Sequence, residues 1–533
     1  MMRAAKLALL SAIAMTLVYA QSQPAPNNFN VLSWSSVFNQ TVYKANSTGA
    51  PVAIGVLQQA VPNVYAFGAN GNTTQLSALV TGTSTNFTPT NFQVNASLVR
   101  VNNAINSSVA TALGLIPLAS PASGVIFRKD PLTGVDLPAS STLGPVFTER
   151  GETIGKRKWY IGVSHEDFHF TKLNGQSLNS LQVLYQGGGA SGILNGATRL
   201  TSYPATFDVG MDVRLSQNIA FVTYGATDRL DISVGLPLVH AAVAARTYNG
   251  ILYAGTGLGG DGTNNPNPNC WCAGTFNPGY FVNSGINFTL PGTIGQANSG
   301  KSGFGDLLLR VKGTVVHNSH AAVAVGGDLR FATGDAENYL GTGTTSFKPF
   351  VAVSLYTGAA HGIVFAPHVN VGWQFSGKSV LGGQLQPNDT LHTTLTDGSG
   401  IITYSGAPLT ATKDYLPDVF SWALGSEVAF GRRNTLIVDI LGNQVGWVHG
   451  APNLTSSSAQ GFTPCNGSSC SAVTATGLTG ASGTTSYSQY SGAFGYKARL
   501  AGNLVFTFNA LTRFDSNGLT ARFTPLYGLG YSF

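Results

Sequence analysis

Charged residues, cysteine and methionine are scarce in this chain of 533 residues. Only 9% of the residues are charged, against about 25% in ordinary soluble domains. The net charge of +6 is spread thinly without a basic cluster, which argues against nucleic acid as a partner. After the first twenty residues no run of about 20 apolar residues occurs, which excludes a membrane protein built from helices.

Glycine and aromatic residues are abundant instead, with 66 Gly, 29 Phe and 19 Tyr. The mean hydropathy is only +0.12, which suits strands that alternate apolar with small or polar residues. The last eleven residues show this alternation, with Phe523, Tyr527, Leu529, Tyr531 and Phe533 on one face. In a soluble protein such an edge strand would aggregate, whereas lipid accommodates it. A terminal Phe is what the outer-membrane assembly machinery of Gram-negative bacteria recognises, so we expect that machinery to bind Phe533.

The first twenty residues predict a secretory signal peptide. Arg3 and Lys6 precede an apolar stretch over 7–18, and Ala20 offers a small residue for cleavage before Gln21. The apolar stretch is too short for a comfortable membrane span. We therefore expect the mature chain to leave the cytoplasm and to enter an oxidising compartment.

From Arg157 onward, alternation recurs and predicts twelve strands. One face of the third strand carries Leu230, Ile232 and Val234, and the other carries charged and small residues. In the second strand the same pattern puts Val209, Met211, Val213 and Leu215, with Phe207, on the lipid side. The predicted strands are 157–170, 204–224, 229–248, 303–316, 320–334, 346–358, 361–376, 413–430, 433–448, 486–500, 503–514 and 519–533.

Short and long joins alternate between these strands until the last pair. This is typical of transmembrane barrels, which have short periplasmic turns and long external loops. Residues 157–533 are therefore predicted to form an all-β, antiparallel transmembrane β-barrel of about 12 strands, within a range of about 10 to 14. Aromatic residues are expected to form belts at the membrane interfaces: Trp159, Tyr160, Trp373, Phe375, Phe420, Trp422, Trp447, Phe506, Phe508 and Phe514.

Residues 21–156 are mostly irregular, with one predicted helix at Ala96–Leu115. Leu98, Val101, Ile105, Val109 and Leu113 form its apolar stripe. This segment is expected to be either a hatch inside the barrel or a periplasmic cap, and a barrel of this size leaves room for a partial plug.

Several stretches resemble one known family. Arg214–Asn218, Thr227–Leu238, Gly303–Arg310 and Asp328–Gly343 are similar to the core of the outer-membrane family associated with the meta-pathway of phenol degradation. Ser120–Gly124 and Gly144–Arg150 resemble its environmental-bacterium branch. The family is a barrel distantly similar to the long-chain fatty acid and toluene channels, which carry an N-terminal hatch. The resemblance implies transport of small, hydrophobic or aromatic molecules, and it supplies no functional residues.

His165-Glu-Asp-Phe-His169 matches the HExxH signature of zinc proteases. That motif needs a helix, where the two His side chains share a face. In a strand, at about 3.3 Å per residue, they would stand roughly 13 Å apart and could not bind one ion. No G-x-S-x-G elbow is present either. We expect no enzymatic activity, no cofactor and no metal site.

The four cysteines fall in two predicted external loops, as Cys270 with Cys272 and Cys465 with Cys470. An oxidising surface favours disulfides over a zinc site. Cys465 and Cys470 would close a comfortable ring, and pairing between the loops stays open. Gly334–Asn338 offers oxygen ligands without the spacing of a calcium loop, which favours a polar external turn.

Charged residues recur on the face of the strands opposite the apolar one, and this face is expected to line the lumen. They either form a structural ion-pair lattice or set the selectivity of a wet constriction. The excess of Arg and Lys predicts a mild preference for anions. The candidates are Asp208, Asp212, Arg214, Arg229, Asp231, Asp306, Arg310, Lys312, Asp328 and Arg330, followed in later strands by Asp439, Lys497, Arg499, Arg513 and Arg522.

The sequence thus predicts a passive outer-membrane channel for small molecules, in contact with outer-membrane lipid. The alternative is a structural or surface-interaction barrel whose long loops bind partners while a hatch keeps the bore shut.

Overall fold

The computed structural model describes residues 87–93, 108–116, 127–129, 136–138, 142–186, 190–194, 197–201, 204–252, 288–356, 363–382, 392–396, 401–405, 413–431, 433–448, 454–462, 472–480 and 485–533. Twelve antiparallel strands form a closed barrel. They are β1 Trp159–Leu173, β2 Pro204–Thr227, β3 Leu230–Leu252, β4 Phe288–Phe304 continued by Leu308–His317, β5 Ala321–Arg330, β6 Ser346–Leu355, β7 Ile363–Ser376, β8 Val419–Phe430, β9 Asn434–Val448, β10 Thr485–Ala501, β11 Leu504–Arg513, and β12 Leu519–Ala521 continued by Phe523–Ser532.

The barrel closes where β12 pairs with β1, with Tyr527 opposite His165. Both parts of β4 pair with β3, at Phe304↔Leu238 and at Leu308↔Gly235, so they count as one strand. The predicted all-β barrel and its strand number are confirmed. β4 starts at Phe288, earlier than predicted, because it follows the long strand β3 away from the barrel. The end of the barrel with the short joins is called the turn end below, and the opposite end the loop end.

Short elements decorate the barrel. A five-stranded sheet has the order Ile401–Ser405, His392–Thr396, Phe87–Gln93, Ala190–Leu194, Ala197–Thr201. The hairpin Leu454–Phe462 and Ala472–Gly480 meets the strand Leu181–Gln186. Two further pairs are Phe127–Lys129 with Asp136–Pro138 and Lys378–Ser379 with Asp414–Tyr415. Gln176–Ser177 turns back and pairs antiparallel with the end of β1. Ala336–Asn338 is a 3-10 turn. None of the helices in the described ranges is long and apolar enough to cross a membrane.

The two faces of the wall differ as alternation predicts. On β3, Ile232, Val234 and Leu236 are 38%, 40% and 36% exposed on the outside, whereas Asp231 and Ser233 are buried inside. Successive side chains of a strand point to opposite faces, so one residue type follows the outside and another the inside. The barrel therefore exposes an apolar outer surface, and an apolar surface of this size is unfavourable in water.

The loop end of β2 reverses this pattern and corrects one prediction. Val209, Met211, Val213 and Leu215 are buried, so this apolar set faces the interior and not lipid. β2 has 24 residues, more than twice the roughly 9–11 needed to cross a bilayer. Its loop-end part stands beyond the apolar belt, where the outer face meets water and the inner face packs on protein.

Aromatic rings on the outer face cluster at both ends of the wall. At the turn end, the centroids of Trp159 and Tyr224 lie 4.6 Å apart. Toward the loop end, Trp373 contacts Phe420 at 5.7 Å, and Trp422 contacts Tyr490 at 6.3 Å. Tyr160, predicted for the belt, faces inward instead and packs on Ile154, because it lies one residue out of phase with Trp159. The side chain of Trp447 lies outside the described residues.

One helix, residues 108–115, lies within the described part of the N-terminal segment. Val109, Ala110 and Leu113 are buried, and Leu115 packs against Val445 of β9, as does Tyr487 of β10. The C-terminal part of the predicted helix is thus confirmed, and residues 96–107 lie outside the described ones.

Candidate functional site inside the barrel

An extended segment, residues 142–158, runs inside the barrel and is called the strap below. It contacts opposite walls at once: Gly144 hydrogen-bonds to β8, and Ile154 to β3. Only a segment within the lumen can reach both walls. It leaves at the turn end, where Arg157 N donates to Gly225 O and the chain enters β1.

Carboxylates of the wall accept backbone N–H groups of the strap. Gly144 N lies 2.8 Å from Glu427 Oε2, and Ile154 N lies 3.0 Å from Asp231 Oδ2. Phe147 N lies 3.3 Å from Asp439 Oδ2. A buried strand outside any sheet would leave such donors unpaired at a cost, and the carboxylates satisfy them.

Arg150 forms the most deeply buried ion pair of the strap. Its Nη2 lies 2.9 Å from Glu427 Oε2, with side chains 3% and 0% exposed. His368 Nε2 lies 2.7 Å from Glu427 Oε1, and Ser354 Oγ lies 2.8 Å from His368 Nδ1. Burial opposes the charge of Arg150, but the attraction and hydrogen bond of Glu427 outweigh it and raise the pKa of this guanidinium.

A second cluster joins Glu149 of the strap to β4 and β5. Arg310 grips Asp328 with two hydrogen bonds of 2.6 and 2.7 Å and also bonds to Glu149. Lys312 Nζ lies 3.3 Å from Glu149 Oε2. The guanidinium carbon of Arg310 stands 5.3 Å from the centroid of the Phe350 ring. These groups neutralise one another, which buried charges require.

An apolar contact completes the strap. Val146 packs with Ile219 and Phe221 of β2, Ile437 of β9 and Leu526 of β12. These strands lie on different sides of the barrel, so this cluster places Val146 within the bore.

A cavity of about 140 Å³ lies between the strap and helix 108–115. Phe147 and Glu149 of the strap and Leu115 of the helix border it. Arg310, Arg330 and Lys348 line it with Asp328, so with Glu149 it has three cations and two carboxylates.

The structure gathers only part of the predicted lumen residues. Arg310, Lys312, Asp328 and Arg330 come together on β4 and β5 at the strap or the cavity, and Asp231, Asp439 and Lys497 bind the strap elsewhere.

Other predicted lumen residues lie elsewhere. Asp212 and Arg214 pair with each other on the outer face of β2, 41% and 60% exposed, so their placement in the lumen is wrong; Asp208 shares that face. The predicted alternation placed the apolar residues between these charges against lipid. In the structure those apolar residues face the interior, and the charged residues face outward. Arg229 is exposed in the turn between β2 and β3.

Asp306 serves the loop between β5 and β6. Its carboxylate accepts hydrogen bonds from Gly334 N at 3.0 Å and from Thr342 N and Oγ1 at 2.7 Å each. Within Gly334–Asn338, Asn338 Nδ2 donates to Asp335 Oδ2. Asp335 and Asn338 of this turn are thus engaged with each other.

Sequence reasoning missed Glu149, Arg150, Lys348, His368 and Glu427. The last three occupy inward positions of strands, so stricter use of alternation could have found them. The strap residues give no periodic signal, and only their adjacent opposite charges set them apart.

The HExxH stretch lies in β1, as expected. Glu166 faces inward and accepts a hydrogen bond from Gln217, whereas His165 and His169 face outward toward Asn218 and Asp212. In the described residues no group of three or more His, Cys, Asp and Glu side chains could hold a metal ion. All four cysteines lie outside the described residues.

Comparison with solved structures finds outer-membrane β-barrels at low similarity. An outer-membrane channel from Pseudomonas putida F1 is 10% identical, covers 72% of this chain and 97% of its own, and has a TM-score of 0.35. A Pseudomonas aeruginosa FadL homologue is 8% identical with a TM-score of 0.26, covering 84% of this chain and 99% of its own. A mutant of the monoaromatic hydrocarbon channel TodX is 9% identical with a TM-score of 0.27, covering 71% and 90%.

No family model and no curated protein matches the chain. The resemblance to the phenol-degradation family therefore stays a prediction.

Proposed function

We propose that this protein is a passive channel in the outer membrane of a Gram-negative-type bacterium and admits small molecules. The supporting observation is the closed barrel with an apolar outside and a charged inside. Lipid satisfies the outside, and closure leaves no unpaired strand edge in the membrane. The channel needs neither cofactor nor energy source.

The signal peptide and the C-terminal residue support this location. Residues 1–20, which lie outside the described part, would direct export and be removed. The backbone of Phe533 pairs with Trp159 at 2.8 and 2.9 Å, and its side chain is exposed. An exposed terminal ring suits capture by the barrel assembly machinery.

We propose that the strap and helix 108–115 act as the hatch. The strap crosses the lumen, and its anchors on Glu427, Asp439 and Asp231 are side chains that it can release without breaking the wall. The resemblance described above favours hydrophobic or aromatic solutes, and the charged lumen favours polar ones, so the proposal is kept at small molecules.

A barrel without transport is the second candidate, and the strap favours it. Val146 and the ion pairs of Arg150 and Arg310 occupy the bore in this conformation. If the strap never moves, the barrel serves as a scaffold for its surface loops and transports no solute.

Liposome swelling distinguishes the two functions. We expect proteoliposomes with the full mature chain to swell in sugars, amino acids or small aromatic acids, and to swell faster when Glu427→Gln and Asp439→Asn loosen the strap. The control Asp208→Asn with Asp212→Asn removes the same charge from the outer face and should behave as the wild type. No swelling with any solute, in either variant or the wild type, would select the barrel without transport.

A further inference from the structure

The cavity between strap and helix holds two cations, Arg330 and Lys348, that form no salt bridge within the described residues, although Asp328 attracts both of them and Asp306 attracts Arg330. Both oxygens of Asp328 are engaged by Arg310, and Glu149 is shared between Arg310 and Lys312. Lys348 makes no hydrogen bond or ion pair with the part of the chain that the structure describes. Arg330 Nη1 has one bond, of 3.0 Å, to the carbonyl oxygen of Leu113.

Arg330 and Lys348 are placed to act on one ligand. Arg330 of β5 pairs with Ser346 of β6, and Lys348, two residues further along β6, lies opposite Asp328, whose two oxygens are taken by Arg310. Diagonal neighbours of this kind have Cα atoms roughly 7–8 Å apart, within reach of two long side chains. A carboxylate between them could accept a charge-assisted hydrogen bond from each.

Apart from Arg310, Asp328 and Glu149, the rest of the cavity lining is apolar or neutral. Phe147, Leu115 and Leu441 line it, together with amides such as Asn443. Its volume of about 140 Å³ is close to the roughly 150 Å³ of an engineered cavity that binds benzene. It therefore has room for a single small ring or a short chain.

We propose that this cavity binds a small organic carboxylate, held through its anionic group by Arg330 and Lys348 and through its apolar body by the Phe147 side. This deepens the proposed channel function, because it names the solute class that pauses inside the lumen. Binding at this level also places the solute directly against the strap.

Calorimetric titration of the full mature chain in detergent tests the site, with benzoate and its uncharged counterpart benzamide as probes. The wild type should bind benzoate at least tenfold more tightly than benzamide. Lys348→Gln and Arg330→Gln should each weaken benzoate binding at least tenfold, and Lys348→Arg should retain it. Lys301→Gln, an exposed lysine of β4 away from the cavity, is the matched control and should bind as the wild type.

Equal affinity for benzoate and benzamide, or no benzoate binding to the wild type, would overturn the site without recourse to any variant. Inorganic phosphate binding as tightly as benzoate would overturn the organic class. The swelling assay separates this failure from that of the channel. Flux without benzoate binding removes the site and keeps the channel, whereas binding without flux of any solute removes the channel.

Discussion

Two Arg–carboxylate pairs of similar length show how burial determines the contribution of an ion pair to stability. Arg150 reaches Glu427 at 2.9 Å inside the barrel, and Arg214 reaches Asp212 at 2.9 Å on its outer face. The first pair has side chains at most 3% exposed, and the second is 60% and 41% exposed. Removing one partner of a buried pair strands a charge, whereas water solvates the remaining partner of an exposed pair.

We expect Arg150→Met to lower the free energy of unfolding by about 3–5 kcal/mol, because Glu427 is left buried without its partner. Arg214→Met should change it by less than about 1 kcal/mol. Urea unfolding of the protein folded into lipid vesicles measures both. Equal losses of unfolding free energy for the two substitutions would show that the Arg150–Glu427 pair does not stabilise the attachment of the strap to the wall.

At the scale of the element, glycine in the strands makes room for aromatic rings on the outer face. The Trp422 ring of β8 packs directly on Gly442 of β9 and leaves no space for a β-carbon there. Phe514 covers Gly492 of β10 in the same way. An aromatic ring laid over a strand glycine pins the register of the neighbouring strands.

Gly442→Ala should destabilise the barrel by about 1–3 kcal/mol, because the methyl group displaces the Trp422 ring. Gly313→Ala in β4 is the control, since a β-carbon there meets only ordinary contacts at 3.7 and 4.0 Å. Vesicle unfolding experiments again give the values. In the background of Trp422→Ala, the cost of Gly442→Ala should vanish; its persistence would contradict a role for the ring.

For the whole molecule, the barrel wall and its filling are separable. The wall closes through pairing between neighbouring strands, with β12 on β1. The strap then satisfies carboxylates that the wall leaves pointing into the lumen. The wall supplies the architecture, and the strap balances its interior charge.

Matched truncations test this division. A chain without residues 21–141 keeps the strap and should keep the β-sheet signal of the barrel in circular dichroism, less the short strands that lie in the deleted segment. A chain without residues 21–156 also loses Glu149 and Arg150, and its midpoint of urea unfolding should fall further. Identical midpoints for the two truncations would show that the strap does not stabilise the barrel.

Much of the wall could be predicted because its signal is local. Alternation with period two and the order of short and long joins locate the twelve strands to within a few residues, apart from the extended β4 and the start of β8, which lies at Val419 and not at residue 413. Alternation cannot say which face looks inward where a strand outgrows the membrane, and this is why Asp212 and Arg214 were misplaced. Lys348 and Glu427 were overlooked, although both occupy inward positions.

The sequence by itself determined a membrane-type barrel, because successive residues of a strand point to opposite faces and their alternation separates an apolar face from a polar one. Only the tertiary structure decided what fills that barrel. The strap bonds to residues 292 and 283 positions away in the chain, at Leu143 to Thr435 and Gly144 to Glu427. Contacts at such separations leave no periodic pattern in the sequence, since they depend on how the closed wall brings distant residues together.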